Sequence, residues 1–436
     1  VKVDRIEHAP NEPPAVSHVV EHLFRHEAGK MVAMLARIFG IEHLGLAEDV
    51  VQEALARALQ TWPFYGVPEN PSAWIMRASR NLALDVVRRE KVFRGKEPEI
   101  VRLIEESGAA APAIFDEQEI ADDRLRMMFV CCHPLIPPEA QVALALKTLC
   151  GFSAKEIAHA FLTTEAAIAK RLVRAKQNIR DARIPFEIPT GPELERRLDG
   201  VLQSLYLLFN EGYKASTGEK LVREEVCSEA IRLTGLLAQH AAGNQPLTHA
   251  LLALMLLNAA RLPARVDVAG NLLRLRDQDR SLWDRGMIAR GHYHLAQSAA
   301  GSEITVYHVQ AGIAACHCSA ADYESTDWSR ILSLYDRLVQ FDPSPVAALN
   351  RAVALAEVRG PQAGLDAIAA IPNIQSLDTY YLLHAVLGEF EARLNHPQNA
   401  ACHFQKSFDL ADLESERAFL DAKLRACELE AAPKKL

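Results

Sequence analysis

Glycine and strand formers are both scarce in this chain. It has only 21 Gly in 436 residues, with 22 Pro and 6% aromatics, and Thr, Tyr and Val are sparse beside Ala and Leu. That balance favours an all-α fold. No apolar run reads as long enough to span a bilayer, and the first residues, VKVDRIEHAP, lack the apolar core of a secretory leader. The eight cysteines are scattered, which argues against a disulfide framework. The expectation is a cytoplasmic chain with reduced thiols and no membrane partner.

Positive charge is also short, with a formal net charge of −8, but the deficit is uneven. Residues 1–186 carry 24 Lys and Arg against 25 Asp and Glu, whereas residues 187–436 carry 24 against 31. Within the balanced half, residues 74–96 gather Arg77, Arg80, Arg88, Arg89, Lys91, Arg94 and Lys96 against Asp85 and Glu90 alone. A polyanion suits the first half, and the acidic second half should repel nucleic acid.

The length calls for two or three domains. Helical periodicity starts near His18, and AEDVVQEALARALQTW forms a second helix. WPFYGVPENPS then reads as a loop, and SAWIMRASRNLALDVVRRE as a third helix. From Lys91 to Gln118 periodicity fades into a linker. Helices resume at 121–132 and 138–149, followed by a short helix in SAKEIAHAF. The proline-rich IPFEIPTGP is the sharpest boundary, and helical sequence follows it to the end. The domains expected are therefore 1–95, a linker at 96–119, 120–186 and 187–436. Near the C-terminus PQAGLDAIAAIP and PQNAACHFQKSF repeat at an offset of 36 residues, which aligns Ala352 with Gly388. Leu387, Gly388, Ala400 and Phe404 fit a tetratricopeptide-like spacing.

Two helices carry the chemistry. Over residues 164–180, Ile168, Leu172, Ala175 and Ile179 form one apolar stripe, with Thr163 or Thr164 as N-cap. Lys170, Arg174 and Gln177 point the opposite way, with Arg171 at the margin. Behind SAKEIAHAF this makes a helix-turn-helix with a cationic outer face, although a solvated face on a plain helical hairpin gives the same pattern. In the helix from Ser72, Ile75, Ser79, Leu82, Ala83, Val86 and Val87 share one side, and Trp74, Arg77, Asn81, Asp85 and Arg88 the other. A tryptophan among Arg and Asn suits stacking on bases beside phosphate contacts, and capping of the core is the other reading.

These segments resemble an extracytoplasmic-function sigma factor of the sigma-70 family, in the group with a long tetratricopeptide-like C-terminal extension. AEDVVQEALARALQTW is similar to region 2.2, and NPSAWIMRASRNLALDVVRRE to regions 2.3 and 2.4. PPEAQVALALKTLCGFSAKEIAHAFLTTEAAIAKRLVRAKQNIR is similar to region 4. LYLLFNEGYKAS, DQDRSLWD, AGIAACHCSA and SPVAALNRAVALAE resemble segments of the extended group.

The resemblance implies RNA polymerase core and promoter DNA as partners, no cofactor and no catalytic residue. It implies minus-35 contacts at Lys170, Arg171, Arg174 and Lys176, with Arg180 near phosphate. Minus-ten capture is implied at Trp62, Tyr65, Asn70, Trp74, Arg77, Asn81, Asp85 and Arg88. Core docking is implied at Asp49, Gln52 and Glu53, and passage of the linker along the RNA-exit path. The C-terminal domain is expected to regulate or support activity in cis, to bind an unidentified protein or ligand, or to cover the cationic faces with its acids. A helix-turn-helix regulator acting without polymerase and a ligand-sensing helical scaffold are the alternatives.

Cys131, Cys132 and His133, and Cys316, His317 and Cys318, lack the spacing of a closed zinc site, so no metal is expected. NEGYKAS, with Asn210, Glu211, Tyr213 and Ser216, imitates a catalytic cluster but fits a packed helix end. For DQDRSLWD the default is a stabilising Asp–Arg network, with a ligand groove as the other reading.

Overall fold

A computed structural model describes residues 27–89, 122–161, 163–182, 191–214, 222–241, 243–267 and 272–431, with isolated positions among 16–24, 98–102 and 184–189. The helix start near His18, residue Ser216 and most of the expected linker lie outside them. Pro98 and residues 100–102, inside that linker, are helical. The described residues form α-helices and short 3-10 turns, and the one β-feature among them is an isolated bridge between Val266 and Leu272.

The chain divides into two compact units, Val1–Ser204 and Leu205–Leu436. In the first, α1 (Ala28–Phe39), α2 (Leu44–Tyr65) and α3 (Pro71–Arg89) precede α4 (Asp123–Cys131), α5 (Pro138–Leu149), α6 (Ala154–Ala160) and α7 (Glu165–Ala182). The division falls within α8 (Pro192–Tyr213), beyond the proline-rich segment. The start of α8 belongs with the first unit for a physical reason. Arg197 donates to the Phe129 carbonyl at 3.3 Å, and a Cβ at Gly200 would meet Gln141 and the Cys132 sulfur at 2.9 and 3.0 Å.

Within this unit α1 packs on α2, α4 and α5. The closest approach is at Gly29, where a Cβ would lie 2.1 Å from the Leu149 carbonyl oxygen. That carbonyl ends α5 and accepts the Arg124 Nε–H at 2.8 Å, with a second Arg124 N–H also donating, so an exposed-type helix end is satisfied in the interior.

The second unit is built from α9 (Glu224–Gln239), α10 (Pro246–Ala259), α11 (Arg285–Ser298), α12 (Val306–Ser319), α13 (Trp328–Phe341), α14 (Pro345–Arg359), α15 (Pro361–Ala369), α16 (Tyr381–Arg393), α17 (Pro397–Leu410) and α18 (Glu414–Ala431). Helices adjacent in sequence pack pairwise. The 36-residue offset superimposes α14 and α15 on α16 and α17. A Cβ at Gly388 would sit 2.8 Å from the Phe404 ring, so the repeat's small position is a true close approach. Contrary to the hydropathy expectation, residues Pro246–Ala264 are long and apolar enough to cross a membrane, but 72% of that stretch is buried in the protein, as befits a core helix.

Burial, ion pairs and helix caps engage parts of the tempting clusters. Cys131 and Cys132 are fully buried, and burial pushes the Cys132 thiol up to about 12. Among the described residues no three His, Cys, Asp or Glu side chains group to hold a metal ion. Glu211 pairs with Arg223 at 3.2 Å. In DQDRSLWD the expected Asp–Arg network is present at Asp277, which pairs with Arg274 at 2.7 Å while Arg274 also reaches Glu389 at 2.9 Å, and two further devices join it. Asp279 and Asp284 cap helical turns by accepting from Ser281 and Met287. Arg280 donates to the His317 and Ala320 carbonyls and to the Thr326 hydroxyl at 2.8–2.9 Å.

Candidate nucleic-acid interface

Helix α2 buries Ala47, Val50, Val51, Ala54, Leu55, Ala58 and Trp62 along one stripe. This leaves Asp49, Gln52 and Glu53 exposed on the opposite face, where Glu53 accepts from Arg57 at 3.0 Å. The helix does not stop at Trp62 as the proline suggested. It carries Pro63 within its last turn and ends at Tyr65, where Gly66, at φ 83°, donates back to the Trp62 carbonyl at 2.9 Å. The loop is thereby reduced to residues 66–70. Asn70 closes it by accepting the Ala73 N–H at 3.0 Å, with Pro71 opening α3.

Trp62 differs from the expectation. Its indole is 2% exposed and belongs to the core, because the ring of Trp74 lies edge-on against it at 5.4 Å. Trp74 is half-buried. Tyr65 stands free at 86% exposure, and beside it Phe64 at 84% is an exposed aromatic that the sequence reading passed over. Helix α3 buries Ile75, Ser79, Leu82, Ala83 and Val87 and exposes Arg77, Asn81, Asp85 and Arg88. The exposed stripe thus presents two guanidinium groups, an amide and a carboxylate.

The helix-turn-helix starts with a capping box: Ser153 N–H donates to Glu156 at 2.7 Å and Glu156 N–H to Ser153 Oγ at 3.1 Å. Ile157 and Ala158 are buried as expected. Thr164 is the N-cap of α7, its Oγ1 accepting the Ala167 N–H at 3.3 Å. Ile168, Leu172, Ala175 and Ile179 are the buried residues of α7. Lys170, Arg174 and Arg180 are exposed, and among the described residues no carboxylate pairs with them. Val173 lies on the same face at 70% exposure, an apolar side chain that a search for charge had no reason to select.

Two cations are engaged. Arg171 pairs with Glu139 at 2.9 Å, and Lys176 pairs with Glu48, whose other oxygen accepts from Thr148 at 3.0 Å. Glu48 lies on α2 beside Asp49, so α7 is tied to α2 through the side of the cationic helix that faces inward.

Sigma-70 region 2 matches residues 23–92, sigma-70 region 4 matches 126–179, and a family of unknown function (DUF6596) matches 197–299. The chain is 38% identical over 393 residues to the uncharacterized protein R00370 of Rhizobium meliloti (strain 1021), covering 90% of this chain and 92% of that one. It is 28% identical over 163 residues to the ECF RNA polymerase sigma factor SigE of Mycolicibacterium smegmatis, covering 37% of this chain and 60% of that one. No solved structure matches.

Proposed function

The chain belongs to the extracytoplasmic-function sigma factors of the sigma-70 family, in the group with a long C-terminal helical extension, and from that membership we propose how its residues divide the work. Residues 1–95 bind polymerase core and the opened minus-ten strand, residues 120–186 bind the minus-35 duplex, and residues 187–436 regulate or support both in cis. The single observation that carries the reading is two outward cationic faces on one unit, Lys170 and Arg174 on α7 and Arg77 and Arg88 on α3, with exposed Tyr65 at the end of the preceding helix α2.

On α7, Lys170 and Arg174 reach guanine edges in the major groove, and Val173 meets a thymine methyl. Arg171 and Lys176 exchange Glu139 and Glu48 for phosphates. At the other face an extruded base stacks on Tyr65, with Trp74 and its buried support Trp62 setting the floor. Asn70, Asn81 and Asp85 offer hydrogen bonds, and Arg77 and Arg88 hold the backbone. Asp49, Gln52 and Glu53 dock on a basic groove of the core enzyme. The polymerase performs the chemistry.

The test is transcription in vitro with purified core polymerase and a template library, with transcript starts sequenced. Core-dependent starts downstream of a shared pair of elements support the reading. Lys170→Ala with Arg174→Ala should lose about 10-fold to 1000-fold in initiation, from two base contacts at ~1–3 kcal/mol each with partial compensation. DNA binding without core-dependent initiation would instead identify a regulator that acts alone.

A further inference from the structure

The second unit contains a cavity of about 380 Å³ where the end of α8, α10, α12, α13 and α14 converge. That volume is in the range of small-molecule sites. Tyr206, Phe209 and Tyr335 give the wall flat aromatic surface, and Asn210 and Tyr213 of the unassigned NEGYKAS motif line it too. Arg261 is its one permanently charged side chain, and no Asp or Glu lines it.

Three of the lining side chains carry a buried polar atom with no partner among the described residues: Arg261 Nε, Gln310 Oε1 and His317 Nδ1. The Gln310 amide donates to the Tyr206 hydroxyl at 3.4 Å, so turning it over changes which end is unpaired but still leaves one. No carboxylate lies within ion-pair distance of Arg261 among the described residues. Its guanidinium lies 5.5 Å from the Trp283 ring. Helix packing alone would favour apolar residues here, since each unpaired buried polar atom is destabilising. A lining guanidinium without a counter-charge, set beside an aromatic wall, describes a recognition site for an anion with a flat body.

We propose that this cavity binds a small organic acid with one carboxylate and a flat, ring-like body, the carboxylate meeting Arg261 and the ring lying among Tyr206, Phe209 and Tyr335. A single cation matches a single negative charge, so a carboxylate is favoured over a doubly charged phosphate ester. Burial holds His317 neutral, down at about 3, so it adds no second charge at neutral pH. Gln310 supplies the complementary amide. The site goes beyond the promoter-binding role above, and its occupancy is measured without polymerase or DNA.

The experiment is 19F NMR titration of the full chain at pH 7 with 4-fluorophenylacetate, its primary amide and 4-fluorophenethylamine, each competed with unlabelled phenylacetate and indole-3-acetate. The acid should saturate below about 10 mM, with the amide at least ~10-fold weaker and the amine not saturating. Arg261→Gln should weaken the acid at least ~10-fold and leave the amide unchanged, and Ala314→Phe, which fills the cavity without altering charge, should abolish both. Far-UV circular dichroism establishes that each variant is folded. If Arg261→Gln does not fold, Ala314→Phe decides. The proposal is overturned if acid and amide bind alike, if neither the probe acid nor its competitors bind in that range, or if acid binding survives in a folded variant.

Discussion

Lys176 faces two anions in turn. In the structure it is paired with Glu48 on α2, whereas its proposed partner on DNA is a phosphate. The pair is half-shielded from solvent, so its exchange for phosphate is close to balanced and is moved by salt. Glu48→Gln should free Lys176 and remove a nearby negative charge. Binding to a minus-35 duplex should tighten, and Lys176→Ala should flatten the plot of log affinity against log salt by ~0.9, the value for one lost phosphate contact. An unchanged slope, measured by fluorescence anisotropy across a salt series, would remove Lys176 from the interface.

His294 and His249 give a second test at this scale. Their Nδ1 atoms are 2.9 Å apart, and His249 Nε2 is 2.9 Å from Asn244 Oδ1. The chain of bonds makes His249 the acceptor and His294 the donor, both neutral. Burial first, and then the neighbouring His249 and Arg290, bring His294 down to about 4. A histidine lowered on folding contributes stability that is intact above its unfolded value of ~6.5 and lost as pH falls toward the folded one. The urea midpoint should therefore fall between pH 7 and pH 5, and His294→Gln should flatten that dependence. Residue-level legibility had the same limit throughout. Lys170 and Arg174 could be read from one helical wheel because solvent faces them, but Trp62 could not, because its burial depends on Trp74 from another helix.

At the scale of elements, helix identity followed from periodicity, but two ends did not. Pro63 reads as a stop, yet α2 continues to Tyr65. A proline in the last turn forfeits one backbone bond while Gly66 recloses the end, so the cost is small there. The sequence also gives no sign that α1 touches α5, a contact that depends on Gly29. Gly29→Ala drives a Cβ into the Leu149 backbone, where no side chain can move aside, and should destabilise the first unit by about 1–3 kcal/mol. Gly45 is the matched control. It is an exposed helical glycine with nothing within 4 Å of a Cβ, so Gly45→Ala should stabilise by up to ~1 kcal/mol. Opposite signs in urea unfolding are expected, and a shared sign would mean that helix propensity outweighs the close approach.

For the whole molecule the question is what an acidic half does for a DNA-binding half. Composition exposed the imbalance, 24 bases against 31 acids in residues 187–436, but not where to cut, because Arg197 and Gly200 are held by α4 and α5 through contacts invisible in sequence. A truncation before α8 would damage the first unit and confuse lost folding with lost regulation. Ending the chain at Ser204 keeps those contacts. If the extension screens the cationic faces, residues 1–204 should bind promoter DNA more tightly than the full chain at low salt. The difference should shrink as added salt shortens the screening length from ~30 Å at 0.01 M to ~8 Å at 0.15 M. Equal affinities and equal salt slopes, with circular dichroism showing the shortened chain folded, would exclude electrostatic masking. Weaker core-dependent initiation by the shortened chain would then assign the extension a supporting role. That outcome is physically distinct, because support through polymerase contacts should not appear in binding to naked duplex at any salt.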